Sequence, residues 1–421
     1  METLPQKERL TTLRRLIAYA EKIFQFSDTI VAGVVDRRLK PRIPTARIVQ
    51  SVAVLFWARL GSLNALELAA HSRFFRRWWG HPVCSADSLG RVTALMDAAG
   101  LRSGLHAVYQ QLKRNKALPD QGGLGVAVLD GHESHASYRR HCGGCLERTL
   151  RSGNTERTQY YHRQVTMMLL PAARPGCDPV RLLLDLEPQR VGEDEVATAL
   201  RLLTRVLGSY PRGFDLILAD ALYATAPFFN FLLAHGKHVL SVLKDDRRNL
   251  YQDVTAQFAA FPPVQGSFRS RQCLWWDFPG LLSWPQVQAP VRVIRSQETR
   301  TVCRQLDGKD ETLTSDWLWV TTLPQPSVPT ARAVALGHQR WDIENQGFNE
   351  LVHGWHADHI YKHDSNAIEC FLLLAFLACN IFQAFFALNL KPQIRKGRTR
   401  AFWSALMAAE IHGGVAPSLS G

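Results

Sequence analysis

"FDLILADALYATAPFFNFLLAHGKHVLSVLK", residues 214–244, is the stretch on which the fold class turns. Its first seven residues are an apolar run ending in Asp220, and its last seven, "HVLSVLK", repeat the short β-like run. Between them "APFFNFLLAHG" has the length and apolar content of a helix closed by Gly236. Strand, helix and strand in so few residues predict a parallel pair joined by a helical crossover, the unit of an α/β sheet.

Upstream, "VAVLD" (126–130), "YYHRQVTMMLL" (160–170) and "VRLLLDLEP" (180–188) read as three successive strands. They are followed by a helix at 194–210 that opens on Asp194 and Glu195, as the helix dipole favours. Residues 1–118 read as helical, with apolar positions at three and four spacing and breaks at Gly61, Gly80 and Pro82. Between Lys244 and Thr330 the helical period disappears. The short pieces "GSFRSRQCLWWDF", "VQAPVRVIRSQE", "TVCRQLD" and "DWLWVTTL" predict a β-rich insertion over 245–330 within a core spanning 119–390. A basic tail, 391–421, begins with "KPQIRKGRTR" and ends in "GGVAPSLSG", expected to be mobile. The run 370–390 is long enough to suggest a membrane span, but Asn380 and Gln383 interrupt it and a buried core helix is expected.

The chain has 421 residues, 46% of them hydrophobic, and carries 50 Lys and Arg against 37 Asp and Glu, a net charge of +13. That surplus favours a polyanionic partner, because cations that displace counterions from phosphates supply most non-specific nucleic-acid affinity. Basic residues cluster around "PRIPTA" (Arg37, Arg38, Lys40, Arg42, Arg47), and Arg73, Arg76 and Arg77 precede Trp78 and Trp79. These groups can hold DNA or form a solvated basic face. The charged N-terminus has no apolar signal region, and the eight cysteines are scattered, so a reducing cytoplasm is expected. A P-loop, a dinucleotide fingerprint, a G-x-S-x-G elbow and H-E-x-x-H are all missing from the sequence, which argues against nucleotide hydrolysis and acyl transfer.

Asp130 and Asp220 each close an apolar strand in this reading, near the carboxyl ends where open α/β sheets present ligands. A third acid, Glu344, lies in "RWDIENQGFNEL" (340–351), where helical spacing gives Arg340 and Glu344 one face and Ile343 and Phe348 the apolar side. Three carboxylates brought together would be a hard-oxygen site suited to Mg²⁺. Competing assignments exist. Asp185 in "LLLDLEP" could replace Asp220, although a sheet face exposed to solvent explains it, and Glu133 could replace one of the other acids. Lys244, Asp245 and Asp246 read as turn residues. "HCGGC" places Cys142 and Cys145 at C-x-x-C spacing with His132, His135 and His141 nearby, but structural zinc needs four ligands and no second C-x-x-C follows.

The strings "LADALYATAPFFNFLLAHGKHVLSVLK" and "WLWVTTLP…GHQRWDIENQGFNELVHGW" resemble the DDE transposases of bacterial insertion sequences, in particular the insertion sequence family 4 type with a β-rich insertion before the Glu. The resemblance covers about 120–390. It implies an α/β, RNase H-like catalytic core with an α-helical N-terminal DNA-binding region. It also implies two Mg²⁺ ions, or Mn²⁺, on Asp130, Asp220 and Glu344, with Arg340 on a DNA phosphate. The implied partners are double-stranded DNA, as terminal inverted repeats and target, and a second copy of the chain on paired ends, with no membrane involved. The family's Tyr and Lys positions hold Gly337 and Leu351, so those phosphate contacts are not carried over. Trp341 is either a residue packing around the DNA end or a core aromatic. Trp317 resembles the insertion tryptophan that stacks on a flipped base, with Trp275, Trp276 and Trp284 as other candidates. The expected activity is strand cleavage at element ends and transfer into target DNA. A related nuclease without strand transfer, and an inactive DNA-binding relic, are the alternatives.

Overall fold

The computed structural model describes residues 11–79, 84–153, 155–244, 248–303 and 308–413. The turn expected at Asp245–Asp246 and most of the tail expected to be mobile lie outside these residues, as do the side chains of Trp78 and Trp79. Helices and a mixed set of parallel and antiparallel strands make an α/β fold in two compact units, 1–121 with 131–210 and 344–421, and 122–130 with 211–343.

In the second unit the opening stretch folds as its pattern predicts. Strand β5 (Leu216–Ala219) is followed by a helix at Ala226–Ala234 and by β6 (His238–Val242), and the two strands pair in parallel. The first half of β1 (Val126–Ser137) pairs in parallel with β5, Val128 opposite Leu218. On the other side, β6 pairs antiparallel with β10 (Asp310–Thr321). Strands β9 (Val291–Cys303), β8 (Arg271–Leu281) and β7 (Val264–Phe268) extend the same sheet as an antiparallel meander. The insertion therefore continues the core sheet and is not a separate β layer. It also contains a helix, Asn249–Ala260, where none was expected. That helix buries Leu250, Val254 and Phe258, an apolar stripe a single residue wide that a periodicity reading passes over.

The first unit is built around the apolar helix Ser365–Ala384, which is buried almost throughout. It packs on the helices Thr45–Trp57 and Ala98–Arg114 and on β4 (Leu182–Pro188). Its polar interruption is structural. The fully buried Asn380 side chain accepts from the Leu183 N–H at 3.0 Å and donates to the Leu183 carbonyl at 2.8 Å, pairing with β4 as a neighbouring strand would. Trp57 Nε1 donates to the Ala378 carbonyl at 3.0 Å. Strand β1 runs on to Ser137. It is followed by β2 (Leu146–Ser152), which sequence reading missed and which pairs antiparallel with β3 (Thr155–Leu169). Strand β2 is exposed along all but its first residue, so it carries no apolar alternation to announce it.

Asp185 is not on a solvent-facing sheet surface, as the sequence suggested. It is 3% exposed, accepts from Arg102 Nε at 2.9 Å and Arg205 Nε at 2.7 Å, and sits where the two helices that supply those arginines flank β4. Glu187 and Glu369 extend the network through Arg205 and Arg102. Removing one member of such a buried group strands the opposite charges. Asp185→Ala is expected to destabilise the protein by about 3–5 kcal/mol, read as a lower urea midpoint; an unchanged midpoint would mean the network carries no stability.

Candidate active site

The register of one parallel strand pair brings two acids together. Val128 and Leu218 are partners, and two residues further along each strand stand Asp130 and Asp220. The pairing ends at Val128 and Leu218, and Asp220 stands one residue past the end of β5. Asp130 does not terminate its strand, because β1 continues past it; only β5 ends at its acid. Asp220 caps the short turn that follows, its Oδ1 accepting from the Leu222 N–H at 2.9 Å, while its backbone carbonyl accepts from Ser241 Oγ at 2.5 Å. Asp130 is 8% exposed. A carboxylate so buried needs a compensating charge, and Arg340 Nη1 supplies one at 3.3 Å from Oδ2.

Arg340 is held by two features. It caps the helix Thr330–Gln339, and its guanidinium lies 4.0 Å over the ring of Trp341, which remains 38% exposed. The regular α-helix expected to carry Arg340 and Glu344 on one face stops at Gln339. Glu344 stands in a π-helical segment, Ile343–Phe348, with a second at Glu350–Gly354. Ile343, Phe348, Leu351 and Trp355 are all buried, and the five-residue step from Ile343 to Phe348 keeps both inside only if the turn is widened. The Leu351 position is therefore core. Asp130, Asp220, Trp317, Arg340 and Trp341 belong to one unit, and Glu344, half-buried, begins the last segment of the other.

A cavity of about 460 Å³ opens beside these groups, lined by Asp220, Trp317, Arg340 and Trp341 and by two cations the sequence did not flag, Lys244 and Arg295. Lys244 was read as turn chemistry, and Arg295 lay inside an unassigned β segment. Trp317 and Trp319 share one face of β10. They stand two apart on β10, with rings stacked at 6.0 Å and 6°. Trp319 is 1% exposed, whereas Trp317 is half-buried at the cavity. The other candidate tryptophans do not line it, although Trp276 lies under Arg295, which does. Trp275 Nε1 donates to Ser296 Oγ, Trp276 Nε1 to the Phe261 carbonyl, and Trp284 lies under Arg248.

Behind the tryptophans His338 stacks on Phe268 at 4.6 Å and meets Trp317 and Trp319 edge-on. Its Nε2 lies 2.6 Å from Glu298, which also accepts from Arg271 at 2.6 Å. Burial alone would raise the Glu298 carboxyl, but these two partners hold it below the usual carboxylate range. This buried cluster fixes the wall on which Trp317 stands. Gly337 belongs to the same wall. A Cβ there would come within 2.5 Å of Trp319 Cε2, so the indole occupies the space that a side chain at the position of the resembled Tyr would need.

Residues 179–381 match the family described as the transposase DDE domain. The match spans a little under half of the chain, takes in Asp220, Trp317, Arg340, Trp341 and Glu344, and begins after Asp130. It supports a transposase-type enzyme. No curated protein matches the chain. The carboxylates are hard oxygen donors of the kind a divalent cation takes: Asp130 on β1, and Asp220 just past the end of β5, where it borders the cavity. Gly337→Ala should force Trp319 to shift, at about 1–3 kcal/mol, with a changed tryptophan emission spectrum; wild-type stability and emission would show that the contact is slack.

Proposed function

We propose that the protein is a metal-dependent DNA transposase of the insertion sequence family 4 type, cutting element ends and joining them to target DNA on an RNase H-like core. The observation that carries this reading is the pair of acids set by one parallel register, Asp130 and Asp220, inside a chain whose 179–381 region matches a transposase DDE domain. Asp130, Asp220 and Glu344 would hold Mg²⁺, in two ions, or Mn²⁺. When bound, such ions activate the attacking oxygen and stabilise the leaving one in an in-line displacement at phosphorus.

The chain's own groups do the rest. Arg340, poised between Asp130 and the Trp341 ring, binds a phosphate oxygen near the cut. Lys244 extends positive charge along the cavity, where Arg295 is paired with Asp316, and Trp341 packs against the DNA end. Trp317 offers an indole face to a base displaced from the flanking strand, where aromatic stacking contributes about 1–3 kcal/mol. Hydrolysis at the element end leaves a 3′-hydroxyl and a 5′-phosphate; that hydroxyl attacks the opposite strand, closing a hairpin and releasing the flanking strand's 3′-hydroxyl, a second water opens the hairpin and restores the 3′-hydroxyl, and this then attacks the target phosphodiester, releasing a target 3′-hydroxyl. End recognition falls to the exposed cations of the helical N-terminal region, among them Arg37, Lys40, Arg42, Arg73, Arg76 and Arg77. In the 391–400 segment only part of the charge is available for this, since Arg395 is buried in a pair with Asp178 at 2.7 Å. Two copies, each on one end, act together in the cytoplasm at the nucleoid.

A labelled element-end duplex tests the assignment. Asp130→Asn, Asp220→Asn and Glu344→Gln should each abolish nicking with Mg²⁺ while end binding stays within a few-fold of wild type, because binding rests on the cations. On the same duplex Trp317→Ala should slow hairpin closure more than nicking. Equal loss of binding and cleavage in the acid variants would remove them from the chemistry.

A further inference from the structure

The C-x-x-C pair that lacked partners in the sequence acquires two in the fold. Cys142 and Cys145 stand in the loop between β1 and β2, His162 is on β3, and His363 immediately precedes Asp364, the N-cap of the buried helix Ser365–Ala384. The four ligand atoms all lie within 4.8 Å of one another. We propose that Cys142, Cys145, His162 and His363 form a structural zinc site, separate from the carboxylate centre.

The edge lengths carry the argument. A tetrahedral zinc with Zn–S about 2.3 Å and Zn–N about 2.05 Å requires S···S about 3.8 Å and S···N about 3.5 Å. The sulfurs of Cys142 and Cys145 are 3.9 Å apart. Nε2 of His162 lies 3.4 Å from Cys142 Sγ and 3.2 Å from Cys145 Sγ, and Nε2 of His363 lies 3.4 Å from Cys145 Sγ. Four edges thus agree with one tetrahedron, and the sulfur separation is nearly twice the about 2.05 Å of a disulfide.

The surroundings are those of a closed structural site. Cys145 and His162 are buried, and Cys142 and His363 half-buried. The Cys142 N–H donates to Cys145 Sγ at 3.2 Å, which holds the two ends of the loop together. Gly144 lets the loop approach the helix, since a Cβ there would come within 2.8 Å of Ser365 Cβ. Of the other histidines near the motif, His141 stacks on Tyr160 at 4.8 Å and His132 on Phe348 at 4.4 Å, while His135 meets His363 edge-on at 5.7 Å. A bound ion would tie the loop and β3 to the start of the apolar helix, joining segments far apart in the chain without entering the reaction.

The test uses the full chain, purified under reducing conditions without added metal. Elemental analysis should find about one zinc per chain, as four ligands and one tetrahedron require. Cobalt exchanged into the protein should give the thiolate charge-transfer and intense d–d bands of a tetrahedral site. Cys142→Ser, Cys145→Ser and His363→Ala should lose zinc and alter those bands, whereas His141→Ala should keep both. Chelation in magnesium-free buffer should lower the melting temperature of the wild type and leave Cys145→Ser unaffected. If the cysteine variants do not fold, zinc content and cobalt spectrum of the wild type decide. Zinc at trace levels with no tetrahedral cobalt spectrum, a Cys142–Cys145 disulfide persisting under reduction, or zinc lost in His141→Ala would each overturn the site.

Discussion

The buried pairing of Asp130 with Arg340 is the constraint around which the candidate site is arranged. A strand interior is a costly place for a carboxylate, and truncating one partner of such a pair leaves the other charge uncompensated. Here the guanidinium comes from the end of the helix Thr330–Gln339 and is steadied by the Trp341 ring. Two residues beyond the last pair of β1 and β5, Asp220 borders the cavity. A cation or a phosphate arriving there would compete for Asp130 and Arg340 respectively, so the pair would be exchanged for ligand contacts and not simply broken.

The cavity wall shows a second dependence. Buried Glu298 holds Arg271 and His338 together behind Trp317 and Trp319, and Gly337 is flat against the Trp319 indole. These residues lie on β8, β9, β10 and the following helix, so the β-rich segment and the Arg340 segment are packed as one piece within their unit. The departure from the resembled family at Gly337 thereby acquires a physical reason: Trp319 fills the volume.

Legibility in the sequence followed the range of the signal. The strand–helix–strand at 214–244 carries its own periodicity and end residues, and the two aspartates could be read from the apolar runs before them. The apolar helix and its burial were also readable, because Asn380 argued against lipid and proved to satisfy β4. What escaped depends on partners distant in sequence. Asp185 reads as solvated until Arg102 and Arg205 arrive from two helices. "HCGGC" reads as an incomplete site because His162 and His363 come from a strand and from the start of a helix far downstream. The widened turns at 343–354 could have been suspected from the five-residue step between Ile343 and Phe348, a spacing an α-helical template does not accommodate.

Whether Asp130, Asp220 and Glu344 serve one divalent-cation centre, as proposed, is read out by iron-directed backbone cleavage. With Fe²⁺ replacing Mg²⁺ on the DNA-bound full chain, ascorbate and peroxide generate radicals that cut the backbone only beside the bound ion. The account predicts fragments ending near residues 130, 220 and 344, competed away by excess Mg²⁺ and lost together in Asp220→Asn. Cuts confined to one of these segments, or a pattern unchanged by Asp220→Asn, would contradict it.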